Sequence, residues 1–348
     1  MRKIETFRLG GNIMGKSVRL SDIANELEVS IVTVSNALSG KKGVSEPLRQ
    51  KIESKAKEMG YIKSSTSSAG SQAESYNIGV IVSERYLGRT TSFYWELYQK
   101  FVGATSRKGS FTMLEVLSLE SEQMIEMPAI IRENKIDGLI IIGRLNTEYL
   151  KELNEQRKVP MVFLDFYDEH IVCDSVVSDN FYGMYKMTSY LINQGHKEIA
   201  FVGEKLATSS IMDRYLGYMK AMLENGIKVN EKWVLPDRDL EKGIMEIKLP
   251  KVMPTAFVCN CDLAAEMLIE QLKNAGYDVP GQISIVGYDN FTYSKFISKN
   301  LTTYDVDTTR LAKEAFHILT KRIKKSSDHR EMRIVQGQML IRNSVNSI

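Results

Sequence analysis

From residue 78 onward, short apolar runs alternate with longer stretches of helical periodicity, and this alternation constrains the fold more than any other feature of the sequence. The runs have the length of strands and are apolar on both faces, which is typical of parallel strands covered by helices on each side. The predicted strands are residues 78–82, 112–116, 137–142, 161–166, 199–202, 256–259 and 283–286, and the predicted helices include 94–107, 182–193 and 214–225.

The number of these units indicates two lobes. About nine strand and helix units follow one another, which is more than one small sheet takes. The chain of 348 residues also exceeds the size at which a single hydrophobic core usually stops growing. We therefore predict an α/β body, residues 78–348, made of two doubly wound lobes. Ligands bind beyond the carboxyl ends of the strands in such sheets, so two facing lobes would enclose one cleft.

Residues 17–63 have a different, helical pattern. Leu20, Ile23, Ala24 and Leu27 follow the spacing of one face of a helix, and a similar spacing recurs after residue 47. Two short helices joined by a turn at residues 28–30 predict a helix-turn-helix unit within a three-helix domain. The second helix of such a unit lies in the major groove of DNA.

The predicted second helix presents Ile31, Val32, Ser35 and Asn36 on its outward face. These residue types suit contacts with thymine methyl groups, phosphates and an adenine edge. Residues 31–34 are all β-branched and form helices poorly, so a requirement other than helix propensity keeps them there. From these residues alone, a plain three-helix bundle that uses Ile31 and Val32 in a protein contact stays open as an alternative.

Charge and composition separate the two parts of the chain. Of 46 Lys or Arg and 43 Asp or Glu in the chain, residues 1–63 hold 12 and 7. A basic head on a slightly acidic body is typical of a polyanion-binding module attached to a sensor.

Residues 64–77 are rich in Ser and Thr, which predicts a linker or hinge. The predicted organisation is a flexible extension at 1–16, the helix-turn-helix domain at 17–63, this linker, and the body.

The head resembles the lactose-repressor family of bacterial transcription regulators. The string V-R-L-S-D-I-A…V-S-I-V-T-V-S-N-A-L-S-G…V-S-E…R…I…A…M-G-Y is similar to the family pattern V-T-L-x-D-V-A…V-S-x-x-T-V-S-R-x-L-N-G…V-S…T-R…V…A…L-G-Y. The resemblance implies a sequence-specific DNA-binding regulator, most commonly a repressor, that binds a roughly palindromic operator as a homodimer or tetramer. The residues assigned to DNA contact are Arg19, Ser30, Ile31, Val32, Thr33, Ser35 and Asn36.

Three positions depart from the family pattern. Asn36 stands where many members carry Arg, which shifts the expected base contact from guanine toward adenine. Glu28 stands where Gly or Asn is common, so the turn either takes a left-handed residue at a cost of ~1 kcal/mol or has a different geometry. Gly70 stands where members carry a Leu that wedges into the minor groove, which predicts little bending of the operator.

The resemblance extends over the body, through the strings at residues 177–183, 191–199 and 279–289. It implies a two-lobed sensor like a periplasmic binding protein, in which Arg214 opens a helix beside the cleft and grips the hydroxyls or carbonyls of an effector. Asp165 and Asp289 follow apolar strands and should therefore point into the same cleft.

Three further residues complete the predicted effector site. Phe93 and Tyr94 precede the first helix of the body and could stack on the flat face of a sugar or a base. Asp262 is either an effector ligand or only the N-cap of the helix that follows it. Carboxylates and a guanidinium favour a mono- or disaccharide as effector, with a purine or nucleoside as the alternative.

Other classes of function lack their signatures. The chain has no G-x-S-x-G, no phosphate-binding G-x-x-x-x-G-K-[ST] and no G-x-G-x-x-G after the first strand, and its four His and three Cys have no metal-ligand spacing. We therefore predict no catalytic residue, metal or cofactor, with an α/β sugar-modifying enzyme as the rival class. The absence of a long apolar stretch and of a signal peptide predicts a cytoplasmic protein without a membrane partner, unlike the solute-binding proteins of transport.

Overall fold

The structure is a computed structural model that describes residues 20–38, 40, 43–59, 61, 75–87, 92–239, 245–291, 299–325 and 329–348. The chain forms two compact units, Met1–Ala73 and Glu74–Ile348. Within the described ranges, no helix is long and apolar enough to span a bilayer. The predicted extension at residues 1–16 and most of the predicted linker lie outside the described residues.

Among the described residues of the first unit, three helices surround a small apolar core. They are α1 (Leu20–Glu26), α2 (Ile31–Leu38) and α3 (Glu46–Glu58). The backbone N–H of Thr33 donates to the Ser30 hydroxyl at 3.0 Å, which caps the start of α2. Arg49 on α3 donates to the carbonyl oxygen of Ala37 at 2.7 Å, where α2 ends. The predicted helix-turn-helix is therefore confirmed, and its core consists of Ile23, Ala24, Val34, Ala37, Ile52 and Ala56.

The first lobe of the second unit is a parallel six-stranded sheet in the order β2-β1-β3-β4-β5-β11. The order reverses on the two sides of β1, as in doubly wound folds. Strands β3 and β4 are buried along their whole length, which explains their uninterrupted apolar sequence. The strands are β1 (Asn77–Ser83), β2 (Phe111–Leu117), β3 (Gly138–Ile142), β4 (Met161–Leu164), β5 (Asp174–Ser178) and β11 (Met332–Val335).

The second lobe is a parallel four-stranded sheet in the order β7-β6-β8-β9, so the predicted pair of doubly wound lobes is confirmed. A separate antiparallel pair joins β10 to β12. The strands are β6 (Ile199–Val202), β7 (Val234–Leu235), β8 (Ala256–Cys259), β9 (Ser284–Val286), β10 (Thr303–Asp305) and β12 (Gln338–Leu340).

Helices cover the sheets of both lobes. They are α4 (Phe93–Ser106), α5 (Leu119–Gln123), α6 (Ala129–Arg132), α7 (Thr147–Gln156), α8 (Asn180–Asn193), α9 (Ser209–Glu224), α10 (Asp262–Asn274) and α11 (Thr308–Ile323), with 3-10 turns at Glu84–Tyr86 and Glu231–Trp233. Helix α9 begins five residues earlier than predicted, because Thr208 caps it by accepting from the N–H of Ile211.

Within the described residues, the chain passes between the two lobes three times. It leaves the first lobe after β5, returns to it between β10 and α11, and leaves it again between β11 and β12. The first lobe is therefore assembled from two separate stretches of sequence. This connection holds the carboxyl ends of the strands of both sheets toward one region, where the functional site lies.

Candidate functional site

A cavity of about 360 Å³ lies at the carboxyl ends of the strands, and both lobes line it. Residues after β1 and β4 line it from the first lobe, and residues after β6, β7, β8 and β9 line it from the second. Its volume falls at the lower end of the range of small-molecule sites, ~300–1,000 Å³. The position agrees with the rule that open α/β sheets bind ligands beyond their strand ends.

Arg214 lines this cavity and is held by three partners. Its Nε donates to Asn180 Oδ1 at 2.8 Å, and its Nη1 donates to the carbonyl oxygen of Asn260 at 2.6 Å. Its Nη2 lies 3.3 Å from Asp289 Oδ1. Contrary to prediction, Arg214 does not open its helix but lies in the second turn of α9.

The close packing of α8 on α9 places Arg214 beside Asn180. A Cβ atom at Gly217 would lie 2.2 Å from the carbonyl oxygen of Phe181 in α8, so a side chain there would force the helices apart. The guanidinium of Arg214 also stacks 4.0 Å above the ring of Tyr288. Arg214 is therefore a rigid donor at the cavity wall, with its charge fixed by its surroundings.

Asp165 and Asp289 line the cavity from opposite lobes, and both have a left-handed backbone. Their φ angles are 70° and 106°, although neither is a glycine. Left-handed non-glycine residues cost free energy and cluster at functional sites. In both residues Oδ1 is buried, and within the described part of the chain it accepts no hydrogen bond of good geometry. Arg214 Nη2 lies 3.3 Å from Asp289 Oδ1, but both oxygens keep acceptor capacity that a ligand with hydroxyl or N–H groups would satisfy.

Burial raises the pKa of both carboxyl groups. It raises the pKa of Asp165 to about 6 and that of Asp289 to about 7, against the opposing effect of the Arg214 charge. The folded protein therefore holds these protons more tightly than the unfolded chain, in which the pKa of Asp is about 3.9. The two carboxyl groups therefore take up protons, and the site loses negative charge, as the pH falls through about 7 and about 6.

This difference predicts how stability depends on pH. Because the folded-state pKa values are raised, the two groups favour folding at pH 4 and lose that contribution as the pH rises through about 7. Without ligand, the free energy of unfolding should fall by roughly 1–3 kcal/mol more between pH 5 and pH 8 in the wild type than in Asp289→Asn. Urea titrations of both proteins at the two pH values measure it. An equal fall in the free energy of unfolding in both proteins would contradict a raised pKa for Asp289.

Phe93 and Tyr94 lie in the first turn of α4 and do not precede it, because the helix begins one residue earlier than the predicted range 94–107. Ser92 caps this helix, so Phe93 and Tyr94 are its first two residues. Both line the cavity, although Phe93 is largely buried in the apolar core. Tyr86, which the sequence did not single out, packs against Tyr94 with ring centroids 4.7 Å apart and completes an aromatic wall.

Asp262 does not line the cavity. Its Oδ1 accepts from the Thr303 hydroxyl at 2.7 Å, and the whole residue is buried. The cap role expected for it is also wrong, because Cys261 is the N-cap residue of α10 and Asp262 is the first residue of the helix. Burial raises the pKa of Asp262 well above the ordinary Asp value.

Sequence reasoning missed two guanidinium groups at the cavity, those of Arg85 and Arg238. Arg85 lies two residues after β1, and Arg238 lies three residues after β7. The general rule about strand ends could have found Arg85. It could not have found Arg238, because a strand of two residues leaves no recognisable apolar run.

In the first unit, α2 presents the predicted outward face. The side chains of Ile31 and Val32 are exposed to 52% and 67%, whereas Val34 and Ala37 are buried. Ser30 is exposed, and Thr33, Ser35 and Asn36 are partly exposed. Arg19 lies outside the described residues. The structure therefore places six of the seven predicted DNA-contact residues on or beside one helix.

Glu28, in the turn between α1 and α2, adopts a left-handed conformation with φ of 52°. Of the two geometries open to this turn, the strained one is present. Replacing Glu28 by Gly should raise the free energy of unfolding by ~0.5–1 kcal/mol, because Gly adopts this conformation without steric cost. Urea denaturation followed by circular dichroism measures the change, with Glu28→Ala as a control that keeps the strain. A destabilised Gly variant would contradict this reading.

Comparison with protein families gives two matches. Residues 19–64 match the bacterial regulatory proteins of the lacI family, and residues 188–345 match a periplasmic binding protein-like domain. The chain is also 28% identical over 334 residues to the HTH-type transcriptional repressor PurR of Vibrio campbellii. That alignment covers 94% of this chain and 99% of the relative.

Solved structures share the fold. The lac repressor dimer bound to operator and the anti-inducer ONPF superposes with a TM-score of 0.70 at 22% identity, over 95% of this chain and 100% of that one. A complex of the transcriptional regulator CelR with cellobiose has a TM-score of 0.64 at 22% identity, over 94% of this chain and 99% of that one. The similarity thus includes both units of the chain.

Proposed function

The chain belongs to the lactose-repressor family of bacterial transcription regulators, and from this premise we propose that it is a repressor whose affinity for its operator is set by a small sugar bound in the cavity. It is a DNA-binding regulator and not an enzyme. The proposal places its action in the cytoplasm, where the operator is. It takes a homodimer as the active form, since two identical heads match the two half-sites of a palindrome.

Operator recognition is proposed for the exposed face of α2. Ile31 and Val32 support it, because large apolar side chains exposed at the start of a short helix suit contact with thymine methyl groups. Asn36 would then contact an adenine edge, while Ser30, Thr33, Ser35 and Arg19 would position the helix through phosphates. Retention of the purified protein on duplexes from upstream of its own and neighbouring genes, lost as salt rises, tests the proposal.

The sugar proposal is carried by one observation, the pair of buried carboxyl groups of Asp165 and Asp289 at the cavity wall, whose Oδ1 atoms accept no well-formed hydrogen bond from the described residues. Adjacent hydroxyl groups on a sugar ring can donate to both. The donors on Arg214 and the aromatic wall of Tyr86 and Tyr94 would bind the ring oxygens and an apolar ring face. CelR, which shares the fold, binds the sugar cellobiose.

A purine or nucleoside is the second candidate, because the same aromatic wall could stack on a base and its N–H groups could reach the same oxygens. A thermal-shift screen of sugars and nucleobases decides between them, since a ligand selective for the folded state raises the melting temperature. A shift with sugars alone supports the proposal. A shift with bases alone would replace it.

Operator bending is a separate prediction from the linker. Gly70, which lies outside the described residues, has no side chain that could unstack base pairs in the minor groove. We expect the operator to remain nearly straight in the complex, and Gly70→Leu to add a kink of at least ~20°. Circularly permuted operator fragments in a gel-shift assay measure the angle. A large kink with the wild-type protein would show that another element bends the DNA.

A further inference from the structure

Two guanidinium groups that the proposed sugar site does not use line the same cavity from opposite lobes. Arg85 follows β1 of the first lobe, and Arg238 follows β7 of the second. Both charges act on the phenol of Tyr86, whose pKa burial raises to about 12 and both Arg charges lower. Arg85 Cζ lies 6.0 Å from the centroid of the Tyr86 ring, and Arg238 lines the same cavity as Tyr86.

Each guanidinium is hydrogen-bonded to a buried carboxylate. Arg85 donates through Nη2 to Glu122 Oε2 at 2.5 Å and through Nε to the Ser83 hydroxyl at 3.1 Å. Arg238 donates through Nε and Nη2 to the two oxygens of Asp237, at 3.0 and 2.7 Å. Two hydrogen bonds from different nitrogens fix the plane of each guanidinium as well as its position, and in Arg238 both bonds go to one carboxylate.

The buried carboxylates are themselves anchored by the protein. Glu122 Oε1 accepts from the backbone N–H of Asn146 at 2.6 Å. Asp237 accepts from the backbone N–H of Glu204 at 2.8 Å and from Asn260 Nδ2 at 2.7 Å. The carboxylates would therefore be partly satisfied without the arginines. They act as supports that orient the guanidinium groups.

Both arginines keep unused donors. In the described part of the chain, Nη1 of Arg85 and Nη1 of Arg238 have no hydrogen-bond partner, and the two side chains are 35% and 23% exposed. Each Nη1 carries two N–H groups. One neutral hydroxyl or carbonyl cannot accept from four such donors, whereas a carboxylate or phosphate has the oxygens to bridge two guanidinium groups.

The cavity thus offers carboxyl oxygens with spare acceptor capacity on Asp165 and Asp289, and guanidinium nitrogens that no described residue accepts from on Arg85 and Arg238. We infer that the effector is a monosaccharide bearing an anionic group, with its hydroxyls on Asp165 and Asp289 and its anionic oxygens between Arg85 and Arg238. This inference rests on the proposed sugar-binding function and narrows its ligand class. A uronate and a sugar phosphate share the required chemistry.

Titration calorimetry on the full chain tests the inference with matched sets of sugars. The sets are glucose, glucuronate and glucose 6-phosphate; galactose, galacturonate and galactose 6-phosphate; and ribose with ribose 5-phosphate. In the set that binds best, an anionic member should bind about 10- to 100-fold tighter than its neutral parent, because bonds to charged groups are stronger. Whether the uronate or the phosphate binds tighter identifies the source of the charge.

Two results would overturn the inference in different ways. If the neutral parent binds as tightly as its anionic derivatives, the inference fails and the proposed sugar function stands. If hypoxanthine or guanine binds and no sugar does, the proposed sugar function fails and the inference fails with it. This comparison uses the wild-type protein and does not depend on the folding of a variant.

Variants test the assigned residues. Arg85→Gln and Arg238→Gln should each weaken binding of the anionic sugar about tenfold and change binding of the neutral parent by less than about twofold. Arg144→Gln is the matched control, because it removes the same charge from a residue outside the cavity lining. Equal losses for neutral and anionic sugars would show that the two arginines only support the wall, and would overturn the assignment.

Discussion

Replacing Arg214 by Ala is expected to abolish the response to effector while operator binding is retained. At the cavity wall the guanidinium donates hydrogen bonds to Asn180 Oδ1 and the Asn260 carbonyl oxygen, and it pairs with Asp289 Oδ1. Its removal leaves the carboxylate of Asp289 buried without a cation and takes away the fixed donor of the site. We expect effector affinity to fall at least ~100-fold and the free energy of unfolding to fall by ~3–5 kcal/mol.

Titration calorimetry with the sugar that stabilises the wild type measures the first effect, and urea denaturation measures the second. Arg214→Lys keeps the charge but cannot reach Asn180 and Asn260 with the same plane of donors, so it should lose most of the affinity with less destabilisation. A double variant, Arg214→Ala with Asp289→Asn, should recover part of the lost stability, because the buried charge is gone. Unchanged effector affinity in Arg214→Ala would remove this residue from the site.

Replacing Val32 by Glu is expected to abolish operator binding and leave the fold intact. The side chain of Val32 is 67% exposed on α2, so the substitution should change the free energy of unfolding by less than ~0.5 kcal/mol. If this face enters the major groove, the new carboxylate is repelled by the DNA phosphates, and no cation lies between them to neutralise it. Operator affinity should then fall at least ~100-fold, or about 3 kcal/mol.

Fluorescence anisotropy with labelled operator measures the loss, and Gln50→Glu is its matched control. Gln50 is exposed on α3, so this variant adds the same charge to the same unit away from the proposed face. Operator affinity in Gln50→Glu should fall only a few-fold, through the net charge of the head. If Val32→Glu bound operator as well as Gln50→Glu, the exposed apolar residues of α2 would instead form a protein contact.

The regular parts of the fold were predictable because burial imposes a pattern on them. Strands β3 and β4 lie in the middle of their sheet, so every residue in them is apolar and buried. Strand β5 begins with Asp174, which is buried beneath Arg322 and bound by it through both oxygens. A charged residue at the start of a buried strand hid this strand from a search for apolar runs.

The site was predictable where side chains directly follow recognisable strands. Asp165 comes directly after β4, and the rule about strand ends was enough to place it at the cavity. Asp262 is also close to a strand end, yet Thr303 of another strand holds its carboxylate away from the cavity. Whether a side chain faces the ligand or a neighbouring strand depends on a partner about forty positions away, and no local pattern carries that information.

The three passages of the chain between the lobes limit how this protein can be divided. A fragment that ended after β5 would contain five strands of the first sheet but would lack α11 and β11, which complete it from residues after 307. The apolar surface that α11 covers would then face water, and such a fragment should aggregate. A protease that cut one passage would, by contrast, leave two covalent connections, so the nicked protein should migrate as one particle in gel filtration and as two bands in a denaturing gel.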